Sequence, residues 1–351
     1  MPGPKAAVTL RPVESSRAWA AAAIARVEQD TVVTPLREVP LPPEWGIGLY
    51  LKDESAQPSG SVKHRLLGAA FVHALAAGQI AEGDTVVMAS AGPAAKAGAY
   101  FARLLGLDFI AVVPRSTRPE KIAEIEAAGG RCHPHHPPVA IYREARRLAA
   151  DIGGHYLDHF AVAAHVIDWR GEAGNIAAEI LRGCARPPEW IVTEAGTGAT
   201  SATIGRHLRY HGHRTRLAVA DPENSAYFPG WVSGASDYAT GMPSRIEGIG
   251  RPRMEPGFLP SVVDLVVPVP DAAAAGALAH LRSLTGITAG GSTGTCLWAA
   301  WRLIDKMRTE GRTGDVVVVM GDAGKAPALD GTAYAEAIDR FLATGVLVVP
   351  S

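Results

Sequence analysis

The fold is decided by the stretch TVVMASAGPAAKAGAYFARLLGLDFIAVVP, residues 85–114, in which an apolar run, an alanine-rich segment and a second apolar run follow one another. Continuous apolar runs are typical of strands buried in a parallel sheet, and the segment between them has the length of a crossover helix. The same alternation continues through residues 119–130, 190–198, 201–212, 216–223 and 315–324. We therefore expect an α/β protein with doubly wound, three-layer α/β/α sheets, whose ligands lie beyond the carboxyl ends of the strands.

Length and composition fit two such domains. The chain has 351 residues, of which 47% are apolar and 20% charged, and its formal net charge is −1. Since about 150 residues make a typical domain, we expect a smaller domain at 46–158 and a larger one at 159–351, with part of 1–45 packed on the larger one. The scattered charges indicate no nucleic-acid partner and no apolar run is long enough to span a membrane, so we expect a small-molecule substrate.

The cysteines and the N-terminus indicate a cytoplasmic protein. The first residues lack the apolar core of a signal peptide, and an odd number of widely spaced cysteines fits reduced thiols. The cysteines are Cys132, Cys184 and Cys296. Cys132 opens a run in which His133, His135 and His136 are candidate metal ligands. Because two prolines make this run look like an irregular surface loop, we predict no metal site.

A second informative stretch is LKDESAQPSGSVKHRLL, residues 51–67, which places Lys63 between a Gly/Ser turn and an apolar helix. A rigid, partly dehydrated lysine has a lowered pKa, and its amine can form a Schiff base with an aldehyde. On this segment alone, a surface lysine at a helix start is an equally good interpretation.

The turn EAGTGAT places five small residues between a strand and a helix: Gly196, Thr197, Gly198, Ala199 and Thr200. Their amides can converge on an anion at the helix start, and the threonine hydroxyls add donors, so the turn predicts a phosphate site. A turn that needs glycine only for its geometry is the plain alternative.

A nicotinamide dinucleotide site is a sharper alternative for the same loop. Gly196 and Gly198 follow a strand, and Asp221 ends the next strand, where a ribose-binding acid is expected. Against it, Ser201 replaces the third glycine, and hydride transfer gives Lys63 no role.

A third Gly-rich turn, ITAGGSTGTCLW at residues 287–298, presents Ser292 before a helix, where helix capping is the alternative role. Lys63, the 196–200 loop and Ser292 together require one ligand with an aldehyde, a phosphate and a polar ring atom. Pyridoxal 5′-phosphate has all three.

These elements resemble the cysteine synthase family of fold-type II pyridoxal-phosphate enzymes, most closely its bacterial L-cysteine desulfhydrase-like branch. The resemblance runs from Thr34 to about Asp322 and includes KDESAQPSGSVKHR, AGTGATSATIGR, SRIEGIGRPRMEP and GGSTGTCLW. It implies two tryptophan synthase β-like domains with the cofactor in the cleft between them. It also implies that Lys63 forms the internal aldimine, that residues 196–200 hold the phosphate, that Ser292 faces the pyridine nitrogen and that the backbone at Gly248 lines the substrate cleft.

The resemblance implies α,β-elimination or β-replacement on a Cβ-substituted L-amino acid. Lys63 would act as the base for the α-proton, and a serine, unlike a carboxylate, would not hold the ring nitrogen protonated, which favours rapid loss of the β-leaving group. We expect cysteine desulfhydration first and cysteine synthase-type replacement on O-acetylserine second. A homodimer is also expected, and the apolar tail 345–351 is either part of its interface or buried in its own fold.

The substrate side departs from the family pattern. Where the family loop reads S-G-N-T or S-G-S-T, this chain has Ser90, Ala91, Gly92, Pro93 and Ala94. This loop lacks the family's side-chain amide and hydroxyl donors, and Pro93 also lacks a backbone N–H group. His159 replaces the family's glutamine, either as a carboxylate-binding cation, as an acid or base, or as a packed cleft residue. The family's D-S-G-x-R-Y segment, at 322–327, lacks its hydroxyl and arginine. We therefore expect a non-standard substrate in a specialised pathway, with a catalytically silent, cofactor-binding paralogue as the alternative of another class.

Overall fold

The computed structural model describes residues 13–350, with side chains from residue 16 onward. Its helices and strands, in chain order, are α1 (Val13–Asp30), β1 (Leu36–Val39), β2 (Ile47–Asp53), α2 (Lys63–Ala76), β3 (Thr85–Ala89), α3 (Pro93–Leu105), β4 (Asp108–Pro114), α4 (Pro119–Ala127), β5 (Arg131–His135), α5 (Ile141–Ile152), β6 (His155–Tyr156), α6 (Ile176–Gly183), β7 (Trp190–Glu194), α7 (Ala199–Tyr210), β8 (Arg216–Pro222), α8 (Tyr227–Ser233), β9 (Leu265–Val269), α9 (Asp271–Thr285), α10 (Gly291–Thr309), β10 (Gly314–Met320) and α11 (Thr332–Thr344).

The strands form two sheets. The larger sheet has six strands in the order β1-β2-β10-β7-β8-β9, and the smaller has four in the order β5-β4-β3-β6. All neighbouring strands are parallel except β1 and β2. The order in each sheet reverses direction along the chain, as in doubly wound folds.

Both sheets are covered by helices on two faces. In β10, Val316 and Val318 pack with α9, α10 and α11, whereas Val317 and Val319 pack on the other face with α6 and α7. In the smaller sheet, α2 and α3 cover one face and α5 the other. Strands buried on both faces need apolar residues at every position, which explains the continuous runs in the sequence. The predicted three-layer α/β architecture is confirmed.

The division between the sheets differs from the predicted one at its start. Strand β2 pairs with β10 over its whole length, from Ile47 opposite Gly314 to Asp53 opposite Met320, and so belongs to the larger sheet. Helix α1 packs with Ala23 and Val27 against the α2 and α3 layer of the smaller sheet. These are contacts between segments far apart in sequence, which a local pattern does not reveal. Residues 1–12, part of the predicted 1–45 segment, lie outside the described residues.

Candidate active site

Lys63 begins α2, beside the end of the larger sheet. The amide of Val62 donates to the carbonyl oxygen of Gly321 at 2.8 Å and ties the preceding loop to the strand end. The Lys63 side chain is 14% exposed, and its Nζ atom lies 3.6 Å from Oε1 of Glu194. The amine therefore lies at the carboxyl edge of the parallel strands, where α/β folds bind ligands, in the rigid and partly dehydrated setting predicted from the sequence.

A buried ion cluster fixes the start of α2. Arg65 donates to Glu54 at 2.7 and 2.9 Å and twice to Glu179 at 2.8 Å, and Lys52 donates to Glu179 at 2.6 Å. All four side chains are buried. Burial alone would lower the pKa of Arg65, but the two carboxylates outweigh it and raise that pKa. Because Lys63 is two residues before Arg65 in the same helix, the cluster positions the reactive amine.

The predicted phosphate loop joins β7 to α7 and is closely packed. A Cβ atom on Gly196 would overlap the carbonyl oxygen of Gly248. Gly198 has φ +84°, and a Cβ atom there would overlap the backbone of Gly257. Helix α7 begins at Ala199, so the amides of Thr200 and Ser201 in its first turn lack intrahelical partners and are available to an anion. Both glycines are thus required by close backbone contacts.

The threonines of this loop lie in different surroundings. Thr197 is buried, and its Oγ1 accepts the amide of Ala199 at 3.2 Å. Thr200 is partly exposed in the first turn of α7. The hydroxyl of Tyr227 donates to the carbonyl oxygen of Gly196 at 2.6 Å. The loop is therefore a fixed cradle of amide and hydroxyl groups at a helix start.

Ser292 lies in the first turn of α10, near Glu194. A Cβ atom on Gly321 would come within 3.2 Å of Ser292 Oγ and 3.6 Å of Glu194 Oε1. Glycine at position 321 therefore keeps open a space that both side chains border. Glu194 was not among the residues predicted from the sequence, although an acidic residue at the end of the apolar strand before a phosphate loop is a recognisable signal.

The predicted substrate residues share one cavity with Lys63. The cavity has a volume of about 320 Å³. Its lining includes Lys63, Gly196 and Thr197, and all the predicted substrate residues, Ser90, Ala91, Gly92, Pro93, Ala94, His159 and Gly248. A volume of this size accommodates a small ligand.

His159 is a neutral residue of this cavity. It is 4% exposed, and its ring centroid lies 4.4 Å from that of Phe160. Burial lowers the pKa of His159 to about 4, and the positive charges of Arg251 and Lys63 act in the same direction. Of the three roles open from the sequence, this environment disfavours a carboxylate-binding cation and an acid at neutral pH, and leaves the roles of a neutral base and of a packed cleft residue.

The 90–94 loop includes the first residues of helix α3, and these residues line the cavity. Helix α3 begins at Pro93, which has no amide hydrogen, and the amides of Ala95 and Lys96 both donate to the carbonyl oxygen of Gly92. This leaves the amide of Ala94, together with the positive end of the helix dipole, to face an anionic group. The Ala94 amide thus partly replaces the lost side-chain donors as a hydrogen-bond donor to an anionic group.

The mouth of the cavity is crossed by an ion pair. Lys121 of α4 and Glu247, in the loop before β9, lie 2.6 Å apart. A Cβ atom on Gly92 would be 3.3 Å from Glu247, so this carboxylate also covers the 90–94 loop. A second cavity of about 780 Å³ shares Pro93, Lys121 and Glu247 with the first and includes Ser292 in its lining.

Arg251 and Tyr142, which the sequence analysis did not select, also line the first cavity. The Arg251 guanidinium lies 4.5 Å from the ring centroid of Phe160 and donates to the Tyr142 hydroxyl at 3.2 Å. It also donates to Glu255 at 3.2 Å. Arg251 therefore brings one positive charge to the substrate side, and its presence in the motif SRIEGIGRPR was the available signal.

Asp221 is unsuited to the ribose-binding role. It is 2% exposed, and its Oδ2 accepts the amide of Phe228 at 2.7 Å. Burial raises the pKa of Asp221 to about 6. A carboxylate enclosed within the larger domain cannot reach a sugar hydroxyl, which argues against the dinucleotide alternative.

Comparison with known proteins identifies the family. The family model described as pyridoxal-phosphate dependent enzyme matches residues 27–322. The chain belongs to this family. It is 51% identical over 320 residues to the L-cysteine desulfhydrase Cds1 of Mycobacterium tuberculosis, covering 88% of this chain and 87% of that protein. It is also 30% identical to an O-ureido-L-serine synthase of Streptomyces lavendulae over 257 residues, 72% of this chain and 76% of the relative.

A solved structure agrees with the fold. The crystal structure of an O-ureido-L-serine synthase aligns with a TM-score of 0.71 at 24% identity, covering 84% of this chain and 90% of the other. The resemblance to the cysteine synthase family and the prediction of a pyridoxal-phosphate cofactor are confirmed by these matches.

The residues present fit pyridoxal phosphate. Lys63, Gly196 and Thr197 line the same cavity, and α7 begins two residues after Thr197. Gly321 leaves room between Ser292 and Glu194, and the buried hydroxyl of Ser61 finds no hydrogen-bond partner within residues 13–350. Lys63 would therefore hold the aldehyde carbon, the 196–200 loop the phosphate and Ser292 the ring.

The histidine run has a regular structure that the sequence analysis did not predict. Residues 131–135 form β5, at an edge of the smaller sheet, rather than an irregular loop. Edge strands tolerate proline, which explains the error. His133 Nε2 lies 3.0 Å from Oε1 of Glu144, and His135 is near the same carboxylate. Arg147 donates to both oxygens of Glu144, so a cation already neutralises this group.

No helix within residues 13–350 is both long and apolar enough to cross a membrane.

Proposed function

We propose that this enzyme catalyses α,β-elimination on a Cβ-substituted L-amino acid, with L-cysteine desulfhydration as the leading reaction. The observation that carries the proposal is the shared cavity of about 320 Å³, in which Lys63 lies with the 90–94 loop and the 196–197 backbone. The relative at 51% identity is named an L-cysteine desulfhydrase, which supports the same reaction.

The chain's own residues supply the proton transfer. Pyridoxal phosphate, when bound, withdraws electrons from the substrate's α-carbon and so acidifies its proton. Lys63 lines the cavity, and the position of its amine at a fixed helix start suits it to remove this proton. In the structure described, Glu194 Oε1 lies 3.6 Å from this amine and balances its positive charge.

The substrate carboxylate would be received mainly by backbone. The Ala94 amide and the start of α3 face the cavity, and the charge of Arg251 lies behind Phe160. The Lys121–Glu247 ion pair covers the mouth and limits the entry of water. A carboxylate held by so few side-chain donors favours a substrate that gains binding energy elsewhere, which supports a non-standard substrate.

A panel of substrates tests the reaction. Purified holoenzyme is mixed with L-cysteine, O-acetyl-L-serine and β-chloro-L-alanine, and pyruvate and sulfide are measured. We expect pyruvate from at least one substrate and none with Lys63→Ala. A matched control is Lys306→Ala, because within residues 13–350 this exposed lysine pairs only with Glu310, one residue past the end of its helix. Lack of turnover on every substrate would contradict the proposal and favour the silent paralogue.

A β-replacement reaction is the second candidate. The adjoining cavity of about 780 Å³ has room for an incoming nucleophile beside the amino-acid substrate. Adding sulfide to O-acetyl-L-serine separates the two: replacement forms cysteine without pyruvate, whereas elimination forms pyruvate at the same rate with or without sulfide.

We also propose a cytoplasmic homodimer. Three free cysteines lie in the described chain, which suits a reducing compartment. In the tail, Val346, Val348 and Val349 are exposed while Leu347 packs into the core of the larger domain, so the tail is fixed and presents an apolar edge. Light scattering on the intact protein tests the dimer, and a monomer at micromolar concentration would contradict it.

A further inference from the structure

Glu194 is a buried carboxylate to which the proposed reaction assigns no role at the cofactor ring. It ends β7, two residues before Gly196, and its side chain is 3% exposed. Its Oε2 accepts the hydroxyl of Thr193 at 3.0 Å, which leaves Oε1 without a hydrogen bond within residues 13–350. Oε1 lies 3.6 Å from Lys63 Nζ and borders the space that Gly321 keeps open beside Ser292.

A carboxylate at this depth needs a positive partner, because an unpaired buried charge is strongly unfavourable. In the cofactor-free protein this partner is the Lys63 ammonium ion. In pyridoxal phosphate the aldehyde carbon and the ring nitrogen lie on opposite sides of the ring, so a Lys63 nitrogen bound to the aldehyde would lie away from a ring nitrogen that Ser292 would face. With the cofactor bound, the space bordered by Ser292 and Glu194 would receive the ring nitrogen, a basic atom that can carry a compensating proton.

We propose that Glu194 is the counter-charge of the cofactor's ring nitrogen and holds that nitrogen protonated. The proton lies on the ring nitrogen and is shared in a hydrogen bond with the carboxylate, with Ser292 as a second polar neighbour. This revises the expectation drawn from Ser292 alone, under which the nitrogen stays unprotonated. The inference concerns the cofactor and not the proposed reaction, so it can be tested without turnover.

Asp322 is the competing acid. It lies next to Gly321, and burial raises its pKa, against the opposing effects of the Gly324 amide and the Lys63 charge. Its Oδ1 already accepts the Gly324 amide at 3.0 Å. Glu194 has no such backbone donor within residues 13–350, and its free oxygen is the one beside Lys63, which favours Glu194 as the ring partner.

The test compares pyridoxal phosphate with its 1-deaza analogue, in which CH replaces the ring nitrogen. Dissociation constants are measured on apoprotein by fluorescence titration for the wild type, Glu194→Gln, Glu194→Asp and Asp322→Asn. We expect the wild type to bind pyridoxal phosphate about tenfold or more tighter than the analogue, as the loss of a charge-assisted hydrogen bond predicts. Glu194→Gln should reduce this ratio to about twofold or less, and Glu194→Asp should restore part of it.

Other outcomes would overturn the proposal. An equal loss of affinity for both ligands in Glu194→Gln would place the carboxylate beside the Lys63 nitrogen instead. A ratio that falls in Asp322→Asn but not in Glu194→Gln would assign the role to Asp322. As a second readout, the visible spectrum of bound pyridoxal phosphate should change between wild type and Glu194→Gln at pH 8, and identical spectra would count against the proposal. Thermal melting of each apoprotein establishes that the variants are folded.

Discussion

Replacing Arg65 with methionine should destabilise the protein strongly. Arg65 makes four hydrogen bonds to the carboxylates of Glu54 and Glu179 and a fifth, at 2.7 Å, to the carbonyl oxygen of Gly174. Methionine fills a similar volume but leaves these groups without their donor. Breaking one partner of a buried ion pair generally costs about 3–5 kcal/mol, because the remaining charge is buried and uncompensated.

The structure places the expected loss near the lower end of this range. Glu179 keeps the Lys52 ammonium at 2.6 Å, and Glu54 keeps the Thr34 hydroxyl at 2.6 Å. One carboxylate therefore retains a charged partner and the other only a neutral donor. We expect a decrease of about 3 kcal/mol in the free energy of unfolding, which is a large share of the total for a typical domain.

Urea unfolding of the apoprotein at pH 7 measures this change. The matched control is Arg182→Met, because Arg182 donates to Glu172 at 2.6 Å but both side chains are exposed, at 51% and 68%, and exposed pairs contribute little. The reasoning would be refuted by equal losses in the two variants, or by a loss below about 1 kcal/mol in Arg65→Met. Since Arg65 positions α2, its variant should also bind pyridoxal phosphate more weakly.

Three further predictions follow from single residues. Gly196→Ala should weaken pyridoxal-phosphate binding about tenfold or more in a fluorescence titration, because its Cβ would push the loop off Gly248; unchanged affinity would contradict this. Burial raises the pKa of Asp221 to about 6, so the stability due to its neutral form is present below about pH 4 and is lost as pH rises through 6. Asp221→Asn should therefore melt at a higher temperature than wild type at pH 8 but not at pH 4. A difference in melting temperature that is the same at both pH values would refute this prediction. Burial lowers the pKa of His64 to about 4, so the stability due to its neutral imidazole is present above about pH 6.5 and is lost as pH falls toward 4. Between pH 7 and pH 4.5, the melting temperature of His64→Gln should therefore fall less than that of wild type.

Much of the fold could be predicted because the signals are local. Buried parallel strands read as continuous apolar runs, and the glycines at 196 and 198 are needed where the backbone of another segment comes close. The Gly/Ser turn before Lys63 likewise indicates its position at a helix start. Each of these features leaves a signal in the local sequence, even where the contact that requires it is distant.

The features that sequence reasoning missed depend on distant partners. Strand β2 joins the larger sheet because β10, more than 260 residues later, offers it a parallel partner. The neutral state of His159 results from burial between domains, and the proximity of Glu194 to Lys63 results from how β7 and α2 pack. Pro134 is compatible with β5 only because that strand lies at an edge.

The most direct test of the account is to find which amine holds the cofactor. The protein is loaded with pyridoxal phosphate, reduced with borohydride, digested and examined by mass spectrometry. We predict that the reduced cofactor is attached to the peptide that contains Lys63, out of seven lysines in the chain. Attachment to another lysine, or a protein that remains unlabelled at saturating cofactor, would contradict the central claim.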